Sequence, residues 1–132
     1  MKYLLDTDTA SYFIKGVPEV VSTALREMGN WCISSITYAE MSSGLFQTKS
    51  RIVEIAVSDF LDGVQVVDFK SHDALEAGRL LAKLKAAGTP IGNFDTLIAA
   101  HALSLKLTLV TNHTKHFGKV HDLALVNWLA DS

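Results

Sequence analysis

Three acidic residues stand where an α/β chain can keep chemistry: Asp6, Glu40 and Asp95. Asp6 ends the apolar run Lys2-Tyr3-Leu4-Leu5, and Asp8 follows two positions later. Glu40 closes Ser34-Ser35-Ile36-Thr37-Tyr38-Ala39-Glu40, and Asp95 follows Pro90-Ile91-Gly92-Asn93-Phe94. Each has an ordinary structural use. Asp6 can cap a helix by accepting from an exposed backbone N–H. Thr37-x-x-Glu40 has capping-box spacing, although Ser34 or Ser35 is the more natural cap because the apolar period begins at Ile36. A carboxylate in a first helical turn, as at Asp95, gains roughly 0.3–1 kcal/mol from the helix dipole. The helix behind Asp95 is nearly all apolar, so this end is expected to be deeply set, and an unpartnered carboxylate there would tend to stay neutral. Together the three acids support a different chemistry. Carboxylates gathered at one edge of a sheet repel one another unless a hard divalent ion such as Mg²⁺ or Mn²⁺ sits between them. Such an ion makes a water acidic enough to attack near neutral pH and stabilises charge developing on a phosphoryl group.

The elements that must position these acids can be read from the apolar pattern. Lys2–Leu5, Trp31–Ile33, Val64–Val67, Leu107–Val110 and Leu123–Val126 are short apolar runs that suit buried strands. Helical spacing occupies Thr7–Ile14, Pro18–Met28, Ile36–Phe46, Ile52–Phe60, His72–Ala87 and Phe94–Leu105. The His72–Ala87 helix is expected to bury Leu75, Leu80, Leu81 and Leu84, with Gly88 at its C-terminal cap. Phe94–Leu105 is apolar almost all round and reads as a buried helix. Continuous apolar strands alternating with helices imply a three-layer α/β/α sandwich around a mainly parallel sheet of four to five strands. In such folds ligands bind beyond the carboxyl ends of the strands, where strand order reverses.

The 132 residues suit a single domain spanning 1–132. Hydrophobic residues make up 48% and charged residues 20%, which argues against disorder. No apolar run reaches the ~20 residues of a membrane span. The one cysteine, Cys32, allows no internal disulfide and fits a reducing cytoplasm, as a small core residue without a redox task. Twelve Lys and Arg against fourteen Asp and Glu give a net charge of −2. Binding nucleic acid by phosphate neutralisation alone calls for a more basic chain. Arg79, Lys83, Lys85, Lys115 and Lys119 leave room for a local positive face.

The sequence resembles PIN-domain ribonucleases, specifically VapC-type toxins of bacterial toxin–antitoxin pairs. The resemblance covers nearly the whole chain: Leu4-Leu5-Asp6-Thr7, the Ser34–Glu40 segment, the Pro90–Ala102 segment and Leu109-Val110-Thr111-Asn112. It implies a PIN-like fold and an Mg²⁺- or Mn²⁺-dependent endoribonuclease cutting RNA, often tRNA. It further implies neutralisation by a small VapB-type antitoxin and a toxin homodimer. Asp6, Glu40 and Asp95 match the family's acidic metal-site positions. In the mechanism this suggests, Asp6 and Asp95 hold the principal ion, while Glu40 holds a second ion or orients the attacking water. Two positions depart from the pattern: Asp8 stands where many relatives have Asn, and His113 where they commonly have an acid or Asn. Imidazole is a poor ligand for Mg²⁺ and a tolerable one for Mn²⁺, so His113 in the fourth position would favour Mn²⁺.

Thr111 and Asn112, just beyond a strand, are candidates for hydrogen bonds that orient ligands. Arg79 and Lys83, one turn apart, are candidates for RNA phosphates or for a solvated face. His101 reads as a satisfied polar group on a buried helix. His113-x-x-His116 with His121 nearby hints at zinc, without cysteines to support it. Two other functions share parts of the pattern. A haloacid-dehalogenase-type phosphohydrolase would use Asp6 and Asp8, but no late acidic pair follows a strand. A receiver-type signalling module would use Asp6, Asp8, Asp68 and Thr111, but it lacks a lysine after the fifth strand.

Overall fold

The computed structural model describes residues 1–129; the last three residues of the expected domain, 130–132, lie outside the described residues. Five strands pair in parallel: β1 (Tyr3–Leu5), β2 (Trp31–Ser34), β3 (Val66–Val67), β4 (Thr108–Val110) and β5 (Leu125–Val126). Their spatial order is β3-β2-β1-β4-β5. The helices are α1 (Thr7–Lys15), α2 (Pro18–Arg26), α3 (Ser35–Gln47), α4 (Arg51–Gly63), α5 (Ser71–Ala86), α6 (Asn93–Leu105) and α7 (Thr114–Phe117). The chain first builds outward from β1 on one side and then returns to build on the other. Strand order therefore reverses at β1, and the crevice beyond its carboxyl end is the expected ligand position.

The layers follow from the alternation of side chains along a strand. Leu4, Cys32 and Leu109 point to one face and pack with Leu84 of α5, Ile98 of α6 and Phe117 of α7. Their neighbours Leu5, Ile33 and Val110 point to the other face and pack with Ala10, Ala24, Met41 and Leu61 of α1 to α4. In register, Leu5 pairs with Ile33 on one side and Val110 on the other. Both faces of the central strands are thus apolar, which is why they read as unbroken apolar runs. This is the expected three-layer sandwich, with all five strands parallel.

Three details differ from the sequence expectation. The pairing of β3 and β5 is limited to two residues each, shorter than the apolar runs around them. On α5 the inward stripe is Asp73, Ala77, Leu80 and Leu84, whereas Leu75 is 58% exposed and Leu81 is also exposed. The stripe keeps helical spacing but is shifted because the carboxylate of Asp73 finds buried partners. Finally, α7 had no counterpart in the apolar pattern. It is one turn long, and only Phe117 anchors it in the core.

Candidate active site

Asp6 follows β1 directly. Its backbone N–H donates to Val110 O across the strand boundary at 3.0 Å, and its Oδ1 accepts from Thr9 N at 2.8 Å, capping α1. The capping use and a chemical use are therefore compatible, because the cap engages one oxygen. Asp6 is only 3% exposed. Burial pushes its carboxyl above the usual range, against hydrogen bonds from Thr111 and Thr9. Thr111 is buried just beyond β4, and its Oγ1 also accepts from His113 N at 2.9 Å.

Glu40 lies on α3, whose N-cap is Ser34, with Ser34 Oγ accepting from Ile36 N at 3.0 Å. Ser34 supplies the cap, so Glu40 is free to turn towards α1. There the Thr7 hydroxyl donates to Glu40 Oε1 at 2.6 Å and stands 3.1 Å from the Thr37 hydroxyl. Burial raises the Glu40 carboxyl; the Thr7 bond opposes this, and the negative charges of Asp95, Asp8 and Asp6 add to it.

Asp95 occupies the first turn of α6 behind Gly92, whose φ of 94° suits a residue without a side chain. The helix body is buried as expected, but the Asp95 side chain is 40% exposed and has a partner: His116 Nε2 stands 3.0 Å from its Oδ2. The expectation of a deeply set, unpartnered carboxylate is thereby corrected. Asp8, in the first turn of α1, meets His113 Nε2 through its Oδ2 at 2.5 Å. That contact is the main reason the His113 imidazole is raised above its ordinary value.

Asp6, Thr7, Asp8, Glu40, Asp95, His113 and His116 line one cavity of about 330 Å³. The three acids singled out in the sequence share this cavity. Among the described residues no Lys or Arg lines it, so four carboxylates share the cavity with two imidazoles as their basic partners. Among the described residues no three such side chains already converge as a ligand cage. The carboxylates are turned instead towards Thr9, Thr7, His113 and His116. The donor set nevertheless fits a hard divalent cation: oxygen-rich, crowded with like charge, and with two carboxyls held above their usual range.

The other candidates are placed as follows. Asn112 Nδ2 reaches Tyr12 Oη at 3.4 Å, while its Oδ1 is buried without a partner. Arg79 pairs with Glu76 at 2.6 Å on the exposed face of α5, and Lys83 is also exposed; neither lines the cavity. Asp68 is exposed and outside the cavity, which leaves a receiver-type reading without its acceptor. His121 is exposed and stands beside Asp122, not beside His113 or His116. Cys32 is buried, and burial pushes its thiol up to about 11. Sequence reasoning assigned no role at this centre to two lining residues, Thr7 and His116. The signal for His116 was the His113-x-x-His116 spacing, which puts both rings on one side of a single turn.

A sequence model of the PIN domain matches residues 3–123. A ribonuclease VapC2 of Haemophilus influenzae is 38% identical over 131 residues, covering 98% of this chain and 99% of that protein. A tRNA(fMet)-specific endonuclease VapC of Salmonella typhimurium is 32% identical, covering 97% and 98%. The solved VapBC2 complex of Rickettsia felis bound to a DNA fragment from its promoter superposes with a TM-score of 0.88. It is 33% identical and covers 97% of this chain and 99% of the solved one.

Proposed function

We propose, for a chain that belongs to the PIN-domain family and is an endoribonuclease toxin of the VapC kind, that Asp6, Glu40 and Asp95 are its ion-holding, catalytic residues. The observation that carries this reading is the shared cavity at the strand-order reversal, into which three sequence-distant carboxylates open. When bound there, a divalent ion lowers the pKa of an attacking water and neutralises charge growing on phosphoryl oxygens. Asp6 would contribute the oxygen left free by its cap on Thr9, and Asp95 would contribute its carboxylate beside His116. Glu40, steered by the Thr7 hydroxyl, contributes a further carboxylate that holds an ion or orients the nucleophile. The two histidines favour Mn²⁺ over Mg²⁺, because imidazole suits the former better. Thr111, bonded to Asp6, keeps that carboxylate aimed.

The substrate class follows the relatives. One of them is named a tRNA(fMet)-specific endonuclease, and we take tRNA as the RNA cut by this chain. Three solved relatives are VapBC assemblies, so we take a small VapB-type antitoxin as its protein partner. A second copy of the chain completes a homodimer, as the family resemblance implies. The 1–132 span acts as one nuclease domain. No helix among the described residues is long and apolar enough to cross a membrane.

The decisive experiment is single-turnover cleavage of a tRNA pool and of a small phosphate monoester, with Mn²⁺, Mg²⁺ or a chelator. RNA is cut only with an ion present, Asp95→Asn abolishes cutting, and Asp68→Asn leaves it intact. Hydrolysis of the monoester without RNA cleavage would move the protein to the phosphohydrolases.

A further inference from the structure

Apart from the residues that line the carboxylate cavity, the protein buries a second group of polar side chains. Ser34 ends β2 and is fully buried. Its Oγ, already accepting from Ile36 N, stands 2.8 Å from Nδ1 of His101, which is also 0% exposed. Because the other ring nitrogen faces the Asp73 carboxylate, the imidazole proton is assigned to Nε2 and the serine hydroxyl donates to Nδ1. Asp73 Oδ2 is 3.6 Å from that Nε2, and it and the Asp68 backbone both favour a proton there. Asp73 is buried and accepts from Lys70 N at 2.8 Å and from the Ser104 hydroxyl of α6 at 2.5 Å. The Phe69 ring meets the His101 ring edge-on, and Phe69 N donates to Ser35 Oγ at 3.0 Å.

Serine, histidine and aspartate in a row evoke a hydrolytic triad, but no substrate can reach these atoms, and Ser34 is committed as a helix cap. The group instead joins two helices. Ser34 caps α3, which carries Glu40, and His101 is on α6, which carries Asp95. Those helices belong to opposite layers of the sheet, with Met41 in one core and Ile98 in the other. The two helices also touch directly, since Ile36 of α3 packs against the core that holds Ile98. Apolar contact alone fixes their spacing loosely, and the Ser34–His101 bond adds a directional tie between them.

We propose that His101 is a positioning residue for RNA cleavage: through the Ser34 hydroxyl it sets α3 against α6 and so sets Glu40 against Asp95. This rests on the assignment of those two carboxylates made above. The test uses the full chain carrying His101→Leu, His101→Asn or Ser34→Ala. It measures kcat and KM on tRNA per folded molecule, together with Mn²⁺ affinity by electron paramagnetic resonance. His101→Leu and Ser34→Ala lower kcat about tenfold or more while KM moves less than about twofold, and both weaken Mn²⁺ binding. His101→Asn, whose side-chain oxygen falls near the place of Nδ1 and accepts the same proton, retains most of the activity. Should His101→Leu fail to fold, Ser34→Ala removes a single oxygen and reads the same tie. Two results would overturn the proposal: a lower Tm with kcat per folded molecule unchanged, or an Asn variant no better than Leu. A wild-type protein that cuts no RNA would instead remove the site assignment itself.

Discussion

His116 Nε2 stands 3.0 Å from Asp95 Oδ2, joining a one-turn helix near the C-terminus to the first turn of the buried helix α6. Two neighbouring ligands of an octahedral ion with bonds of about 2.1 Å are themselves about 3 Å apart. The pair is therefore spaced as two ligands of one such ion would be. Mn²⁺ bound to the protein should then display a nitrogen hyperfine coupling in pulsed electron paramagnetic resonance. His116→Ala should remove it and weaken Mn²⁺ about tenfold, with a smaller effect on Mg²⁺. Equal losses for the two ions, or equal activity with both at saturation, would count against a nitrogen ligand.

Asp6→Asn separates function from stability. Asparagine retains a cap oxygen for Thr9 N but loses the charge that burial disfavours. RNA cleavage should fall about 10³-fold, matching the several kcal/mol that an ion-holding group contributes. The sign of the pH effect is fixed by the upward shift of Asp6. Its contribution to stability is fully present below the unfolded carboxyl's pKa and is lost as pH rises through the folded value. Near pH 7 the ion-free variant should thus melt higher than wild type, by about 3 °C. A lower melting temperature at pH 7 would refute this account of Asp6.

Thr7→Val deletes the hydroxyl that donates to Glu40 Oε1. That bond favours the ionised carboxylate, so its loss should move Glu40 further up, as read by carboxyl carbon chemical shifts in ion-free protein. Stability should drop by about 1 kcal/mol. An unmoved Glu40 titration would mean that burial and the charges around the cavity, and not Thr7, control it.

Asp8→Asn should lower the His113 titration towards that of a free imidazole, measured from its ring proton resonances. The shift belongs to a pair whose side chains are 46% and 54% exposed, so salt screens it and little folding energy is attached. Stability from this pair is present below the unfolded histidine's pKa and is lost as pH rises through the raised folded one. A His113 titration unaltered by the substitution would assign the shift elsewhere.

Much of this architecture was legible in the residues themselves. Leu4-Leu5, Cys32-Ile33 and Leu109-Val110 are apolar at every position because both faces of the parallel sheet are covered, and no amphipathic alternation disguised them. Asp6, Glu40 and Asp95 could be picked out because each ends a strand or opens or faces along a helix beside one. What stayed hidden depends on partners distant in the chain. Asp73 replaces a leucine on the inward stripe of α5 only because Ser104 and Lys70 receive its carboxylate. His101 was expected to be a satisfied polar group, but its partners, Ser34 at one nitrogen and Asp73 3.6 Å from the other, lie where no spacing encodes them. His116 needed a helix too short to leave a periodic trace.

The alternation of Leu4 and Leu5 between the two cores governs more than packing. Sliding β1 by one position against its neighbours would exchange the residues offered to each layer and at the same time turn Asp6 out of the cleft. A molecule that assembles with correct sides is therefore also one whose acid is correctly aimed, and a misthreaded strand yields neither a stable interior nor a stray nuclease.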